Sequence, residues 1–472
     1  MMAFGFPLAA FVGLFAADPA GMYLPPSETG GSEYQFNPAS VELRRAVKTD
    51  VRKDDLLDAR ALADDLVFLR RALRKQYVGY PELLQLPDFD VEGLFDEHVA
   101  RLRSGAAKVK YADSALALFL ELKRHIEDRH LALYGPGWNP VPKDDYTEYQ
   151  TVISGPAPAL EGCAAPGGRP TTLRVAPVLP ASGRPGQLVT VSARAPGQSL
   201  ELTCGQRRLT LTGRPRVPVE EELSKKPAYE WRRAGEAAII RIRRYYGPPA
   251  DVARLEQLAR DYAEHRRAPL IVIDMRGNAG GDDDYADRWI AKARRGDWEK
   301  GTWSLNPVGS FLPWYVWNQE VWAAISEDRV DDPTSVARRT QLRDQWPRSP
   351  AELSIAFKPD RAQGRAEAPY RGRVFVLIDR RCGSSGESAA LAFRAGVGAK
   401  LVGERTAGLL EYGNARQLVL PRTRLVFQFA TKRNYFPTPT EGLGVPVDVY
   451  LAPELMSKPA EELIPLLKTL PR

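Results

Sequence analysis

VFVLIDRRCGSSGESAALAF, residues 374–393, reads as a buried strand that runs through a tight Gly/Ser turn into a helix. The five apolar residues Val374–Ile378 match a strand covered on both faces, and the stretch around Glu387–Ala395 has the small and apolar residues of a packed helix. A serine in such a turn sits at a helix N-terminus, where backbone N–H groups and the helix dipole can stabilise an oxyanion beside an exposed Oγ. Ser384-Ser385-Gly386-Glu387 is equally an S-x-x-E capping box, whose only task is to start the helix. These residues alone leave both readings open. The G-x-S-x-G elbow of α/β-hydrolases is absent, since Cys382 stands two before Ser384 and Glu387 two after Ser385.

Outward from this stretch the chain alternates in βαβ style. EAAIIRIRRYY from Glu236 is followed by an amphipathic helix carrying Val252, Leu255, Leu258, Ala259 and Tyr262, and then by the strand LIVID, residues 270–274. After the helix come KLVG and an antiparallel pair, RQLVL and RLVFQFA. The order predicts an α/β (mixed α+β) fold, a mixed sheet covered by helices over residues 230–455. In LIVIDMRGNAGGDDDYAD, residues 270–287, Gly277, Gly280 and Gly281 allow a ligand close to backbone amides. The spacing is not G-x-G-x-x-G and no Lys-Ser/Thr follows, so dinucleotide and P-loop readings fail. Asp282, Asp283 and Asp284 are most simply helix caps, or else an attraction for a basic side chain or a divalent cation.

Upstream, Leu62, Leu66, Leu69, Leu73 and Tyr77 step at helical spacing, and a second such stretch runs from Asp113 to about Glu127. Residues 41–135 are therefore expected to be a helical domain, ending in HIEDRHLALYGPG. Residues 155–225 hold short β-like runs between Pro and Gly clusters, a small β domain. Residues 296–370 form an insertion with six of the nine tryptophans, read as a local helical core or as an aromatic wall beside a groove. Residues 456–472 read as a tail helix.

A chain of 472 residues exceeds what one core sustains, so several domains are expected. With 44% hydrophobic and 26% charged residues it is an ordinary globular composition rather than a disordered or multi-span membrane chain. The net charge of +7 comes from arginines scattered among carboxylates, with no basic stripe or reading motif, which argues against nucleic acid. Three cysteines in no metal-ligand spacing disfavour structural zinc; Cys163 and Cys204 either pair in an oxidising compartment or are two unrelated thiols. The apolar run Ala3–Ala17 suits a signal-peptide core, too short to span a bilayer, although no Lys or Arg precedes it. With residues 1–40 read as leader and flexible segment, the expected location is periplasmic or secreted, the alternative cytoplasmic. Of the four histidines, His98 and His265 are expected on solvent-facing helical stretches. His125 and His130 are five apart, not the H-E-x-x-H of a zinc peptidase.

Three separated motifs, in order, resemble the serine peptidases that group tail-specific (C-terminal processing) proteases, tricorn protease and the interphotoreceptor retinoid-binding protein repeats. IDMRGNAGG is similar to D-L-R-G-N-x-G-G, CGSSGES to the nucleophile turn, and VGERTAG with EGLGVPVDV to the closing segments, while Asp128-Arg129-His130-Leu131 matches an N-terminal D-x-H. The resemblance implies a ClpP/crotonase-like core and a nucleophile three residues before the motif glutamate, which selects Ser384 over Ser385. The lysine of the Ser–Lys branch is missing: its place is Leu409, and an earlier family lysine is Arg405. The tricorn-like branch implies His130 as base and Glu441 as its partner, with an oxyanion hole from the Ser385 amide and Gly280 or Gly281. Tricorn's serine before the histidine is Arg129 here, and residues 155–225 lack the G-D-x-I of the PDZ domain found in many relatives.

The expectation is a serine peptidase that cleaves extended polypeptides through an acyl-enzyme, with no cofactor, metal, nucleic acid or membrane span. Asp282 and Asp283, next to the oxyanion glycines, would favour basic substrate side chains. The alternatives are a catalytically silent ligand-binding protein on the same scaffold, or an esterase.

Overall fold

The computed structural model describes residues 54–134, 147–153, 163–164, 172–179, 186–193, 199–204, 207–213, 226–307 without 295 and 297, 355–362, and 366–470 without 367, 424 and 437–439. Contacts divide the chain into two units: residues 1–141, 302–359 and 411–441, and residues 142–301, 360–410 and 442–472. The leader and Trp314, Trp317, Trp322 and Trp346 lie outside the described residues, whereas Trp298 and Trp303 belong to a strand, Trp298–Pro307.

In the first unit the helix Ala59–Gln76 starts where Asp58 accepts from Ala61 N–H at 2.8 Å. Leu62, Leu66, Leu69, Leu73 and Tyr77 form its buried face, as their spacing predicts. Asp65, also buried, accepts from the Arg422 and Thr423 amides (3.0 and 2.6 Å) and from Thr423 Oγ1, so it fastens a hairpin turn far along the chain. The helices Val91–Ser104 and Ala115–His125 complete the core together with Tyr412, Leu418, Phe427 and Phe429. The expected antiparallel pair is present as Tyr412–Val419 against Val426–Tyr435. It groups with the helices rather than with the 230–455 stretch. The short strand Ala132–Tyr134 pairs with Val426–Gln428, and this positions the residues just before it.

The second unit carries the strand–turn–helix stretch. Its parallel strands Ala237–Ile242, Leu270–Asp274, Arg373–Ile378, Lys400–Gly403 and Val449–Leu451 lie side by side, with Tyr229–Ala234 antiparallel at the edge. Strands such as Leu270–Asp274 are buried at every position, which is why they read as unbroken apolar runs. One face packs Val272, Phe375 and Leu377 against Leu463 and Leu467 of the last helix, Ala460–Thr469. The helices Asp284–Ala293 and Ser385–Val397 meet through Trp289 and Phe393, whose ring centroids are 5.6 Å apart. The β strands of the 155–225 stretch continue the same sheet, Val178–Leu179 lying parallel to Tyr450–Leu451. Cys163 sits opposite Cys204 in this region, and Cys204 is disulfide-bonded.

Two histidine expectations need correction, because His98 and His265 are buried, not solvent-facing. His98 shares the helix face of Val91, Phe95 and Leu102. His265 accepts a hydrogen bond from Trp289 Nε1 at 3.1 Å and its other nitrogen lies 3.2 Å from the Tyr229 hydroxyl, which donates to Asp261.

Candidate active site

In the second unit, the strand Arg373–Ile378 ends at buried Asp379, whose carboxylate accepts from Gly277 N–H (2.9 Å) and Arg381 N–H (3.0 Å), joining the turn to the glycine-rich loop. Ser384 follows with φ 51° and ψ −124°. Among the described residues only Asn414 shares a positive φ without being glycine. Such a conformation costs about 1–3 kcal/mol and persists only where the surroundings impose it. Here Glu387 imposes it: fully buried, it accepts from Ser384 N–H (2.9 Å), Gly408 N–H (2.9 Å), Leu409 N–H (2.7 Å) and the Thr406 hydroxyl. Burial nevertheless pushes its carboxyl above the usual range, against the pull of these four donors. The capping box read in S-x-x-E is thus present, with Glu387 reaching back to the Ser384 amide.

The glycines lie against this turn. A Cβ on Gly280 (φ +109°) would stand 2.9 Å from Ser384 Cβ, so only glycine fits. Gly280 uses both backbone groups, its N–H donating to Asn278 Oδ1 (2.9 Å) and its carbonyl accepting from Tyr245 N–H (2.8 Å). That removes Gly280 as an oxyanion donor. The amides of Gly281 and Ser385 make no hydrogen bond among the described residues, and Ser385 Oγ donates to Gly281 O at 2.7 Å. Asp282 is exposed, with its carboxyl raised by partial burial, and its Oδ1 accepts from Asp284 N–H. Asp283 instead accepts from the Ser388 hydroxyl, so its carboxylate is engaged.

In the first unit, the chain leaves the helix Ala115–His125 and turns at Asp128, whose Oδ1 accepts from His130 N–H (2.7 Å) and Leu131 N–H (3.1 Å). The His130 carbonyl accepts from Gln428 Nε2 at 2.9 Å, which fixes the residue on both sides. Glu441 accepts from Arg129 N–H (2.8 Å) and Glu411 N–H (2.9 Å). Ligand atoms of Asp128, His130 and Glu441 all lie within 4.8 Å of one another in a buried cluster. An imidazole beside a carboxylate is the arrangement of an oriented general base; the same three donors would also suit a divalent cation. The structure brings together Ser384, Ser385, Gly280 and Gly281 in one unit, and His130 and Glu441 in the other.

Sequence reasoning missed Glu411. Its Oε1 accepts from the amides of Thr440 (2.5 Å) and Glu441 (3.0 Å), while Glu411 N–H donates back to Glu441, a reciprocal clamp. Arg433 donates to Glu411 at 3.0 Å and lies 3.8 Å over the Tyr412 ring, whose hydroxyl donates to Glu82. The available signal was a lone acid in the apolar run GLLEYG, because such a carboxylate is buried only when partnered.

Residues 236–451 match Peptidase family S41. The chain carries an S41 peptidase domain. It is a serine-type peptidase whose substrates are polypeptides, and the silent binding-protein reading is not favoured. Among solved structures, the chain resembles mature CPAF complexed with lactacystin, at 15% identity over 87% of this chain and 98% of that one, with a TM-score of 0.45. It also resembles the photosystem II D1 C-terminal processing protease, at 15% identity over 84% and 94% with a TM-score of 0.38. A third likeness is a putative S41 protease from Bacteroides fragilis, at 14% over 81% and 88% with a TM-score of 0.34. No curated protein matches the chain. Among the described residues no helix is long and apolar enough to cross a membrane.

Proposed function

We propose that this S41 peptidase cleaves extended polypeptides through an acyl-enzyme on Ser384, with His130 as general base and Glu441 as its orienting carboxylate. Ser384 Oγ attacks the scissile carbonyl carbon while its proton passes to His130. The Ser385 and Gly281 amides hold the oxyanion, and Gly280 serves by letting the loop approach the serine. His130 then protonates the leaving amine, and the C–N bond breaks. Next it takes a proton from water, whose oxygen attacks the acyl carbon, and returns that proton to Ser384 as the acid product leaves. Glu441 stabilises the transient imidazolium.

The observation that carries this reading is the φ of 51° at Ser384, held in place by buried Glu387 at the start of a helix. Strain maintained by four hydrogen bonds on one buried carboxylate is characteristic of a functional turn. Asp282, the exposed member of its pair, would favour basic substrate side chains. The disulfide at Cys204 supports an oxidising, extracytoplasmic location.

Reaction of the purified protein with a fluorophosphonate probe, followed by mass-spectrometric location of the adduct, tests the assignment. We expect modification at Ser384 that is lost in Ser384→Ala. Modification elsewhere, or none in folded protein, would remove Ser384 from the role.

A further inference from the structure

A second site lies in the same unit, away from the serine turn. A cavity of about 640 Å³ is bounded by the edge hairpin Tyr229–Ala234 and Ala237–Ile242, the end of the strand Leu270–Asp274 and the segment Met456–Glu461. Seven cationic side chains line it against three carboxylates. Strand register explains the concentration of charge: Glu230, Arg241 and Asp274 are neighbours across three strands and so share one face.

These charges are not balanced pair by pair. Asp274 is the partner of two guanidiniums, Arg276 and Arg241. Arg276 is heavily engaged, giving two hydrogen bonds to Asp274 (2.8 and 2.7 Å) and two to the carbonyls of Met456 and Lys458 (2.7 and 2.9 Å). Arg241 shares that carboxylate and donates to the Arg276 carbonyl at 3.1 Å, yet its buried Nε has no acceptor among the described residues. Arg243 and Arg232 take Glu230 and Glu461, and Arg381 takes Asp379. Lys226 lines the cavity and makes no ion pair among the described residues. Burial and the neighbouring Arg276 and Arg243 push the Arg241 guanidinium below its ordinary range, opposed by Asp274. A buried donor with excess positive charge around it is what a bound anion would complete.

We propose that this cavity binds a small ligand bearing oxyanion groups, phosphate or carboxylate, with Arg241 and Lys226 as its principal contacts. The volume falls in the range of small-molecule pockets, about 300–1,000 Å³, and exceeds what a lone ion fills. Nothing in the site chemistry links it to peptide cleavage, so the proposal stands apart from the Ser384 assignment.

The test uses the full chain, with calorimetry and thermal melts in inorganic phosphate, pyrophosphate and citrate, each against sodium chloride of equal ionic strength. We expect saturable binding, weakened at least tenfold in Arg241→Met and about threefold in Lys226→Met, and unchanged in Arg60→Met on an exposed helix position. Preference for pyrophosphate assigns a phosphate source, and preference for citrate a carboxylate one. Circular dichroism checks folding, and should Arg241→Met not fold, exposed Lys226 decides. No binding beyond the chloride control, or equal binding by wild type and both cavity variants, overturns the proposal. Fluorophosphonate reaction at Ser384 should be the same in every variant.

Discussion

Acidification should destabilise the protein through one buried histidine. His265 accepts from Trp289 Nε1–H, which leaves its proton on Nε2 toward the Tyr229 hydroxyl. No side is left for a second proton, and burial drives its pKa from 6.5 down to about 3. Because the folded value lies below the unfolded one, the unfolded chain binds more protons as pH falls through 6.5, and stability falls with it. Between pH 7 and pH 5, at about 1.36 kcal/mol per unit, His265 alone removes about 2 kcal/mol. Since pH 5 is still above the folded value, that magnitude hardly depends on whether the folded pKa is 3 or a unit higher. For a unit of this size, at about 2–4 °C per kcal/mol, the fall corresponds to about 4–8 °C in Tm. Thermal melts of wild type and His265→Gln at both pH values isolate the contribution, since other groups cancel in the difference. The wild type should lose about 2 kcal/mol more than the variant; equal losses would refute the reasoning.

Three further outcomes are expected. Glu411→Gln, which weakens the clamp on Glu441, should lower kcat about 10–100-fold, as loss of a hydrogen bond to a charged group of about 1.5–3 kcal/mol implies; a change confined to KM would contradict the positioning role. Gly280→Ala, whose Cβ would press on Ser384 at φ +109°, should cost about 1–3 kcal/mol and slow fluorophosphonate reaction at least tenfold; an unchanged rate would contradict the close approach. Reduction of the disulfide at Cys204 should lower stability by about 2–4 kcal/mol, read as a drop in Tm under dithiothreitol; an unmoved Tm would count against it.

Legibility in the sequence followed the range of the interactions. Local periodicity sufficed for the helix Ala59–Gln76, whose five apolar positions are all buried, and the apolar runs marked the parallel strands. The serine turn was recognisable as a turn, but not that one buried carboxylate, Glu387, would tie Ser384 to Gly408 and Leu409. Likewise Asp65 reaches Thr423, and Gln428 reaches His130, across some three hundred positions, so grouping of 411–441 with the helices could not be read locally. His98 and His265 were misread because residue type was weighed above helix face and packing partners. Gly280 and Gly281 are adjacent and alike in sequence; only their hydrogen bonds separate an engaged amide from an available one.

The central claim, that Ser384 and His130 act as one catalytic unit, is tested most directly by a double-mutant cycle on peptide turnover with Ser384→Ala, His130→Ala and the two combined. Residues acting together are strongly non-additive, each single loss approaching the whole. The account predicts that the double variant is no slower than the slower single variant; losses that multiply would contradict it.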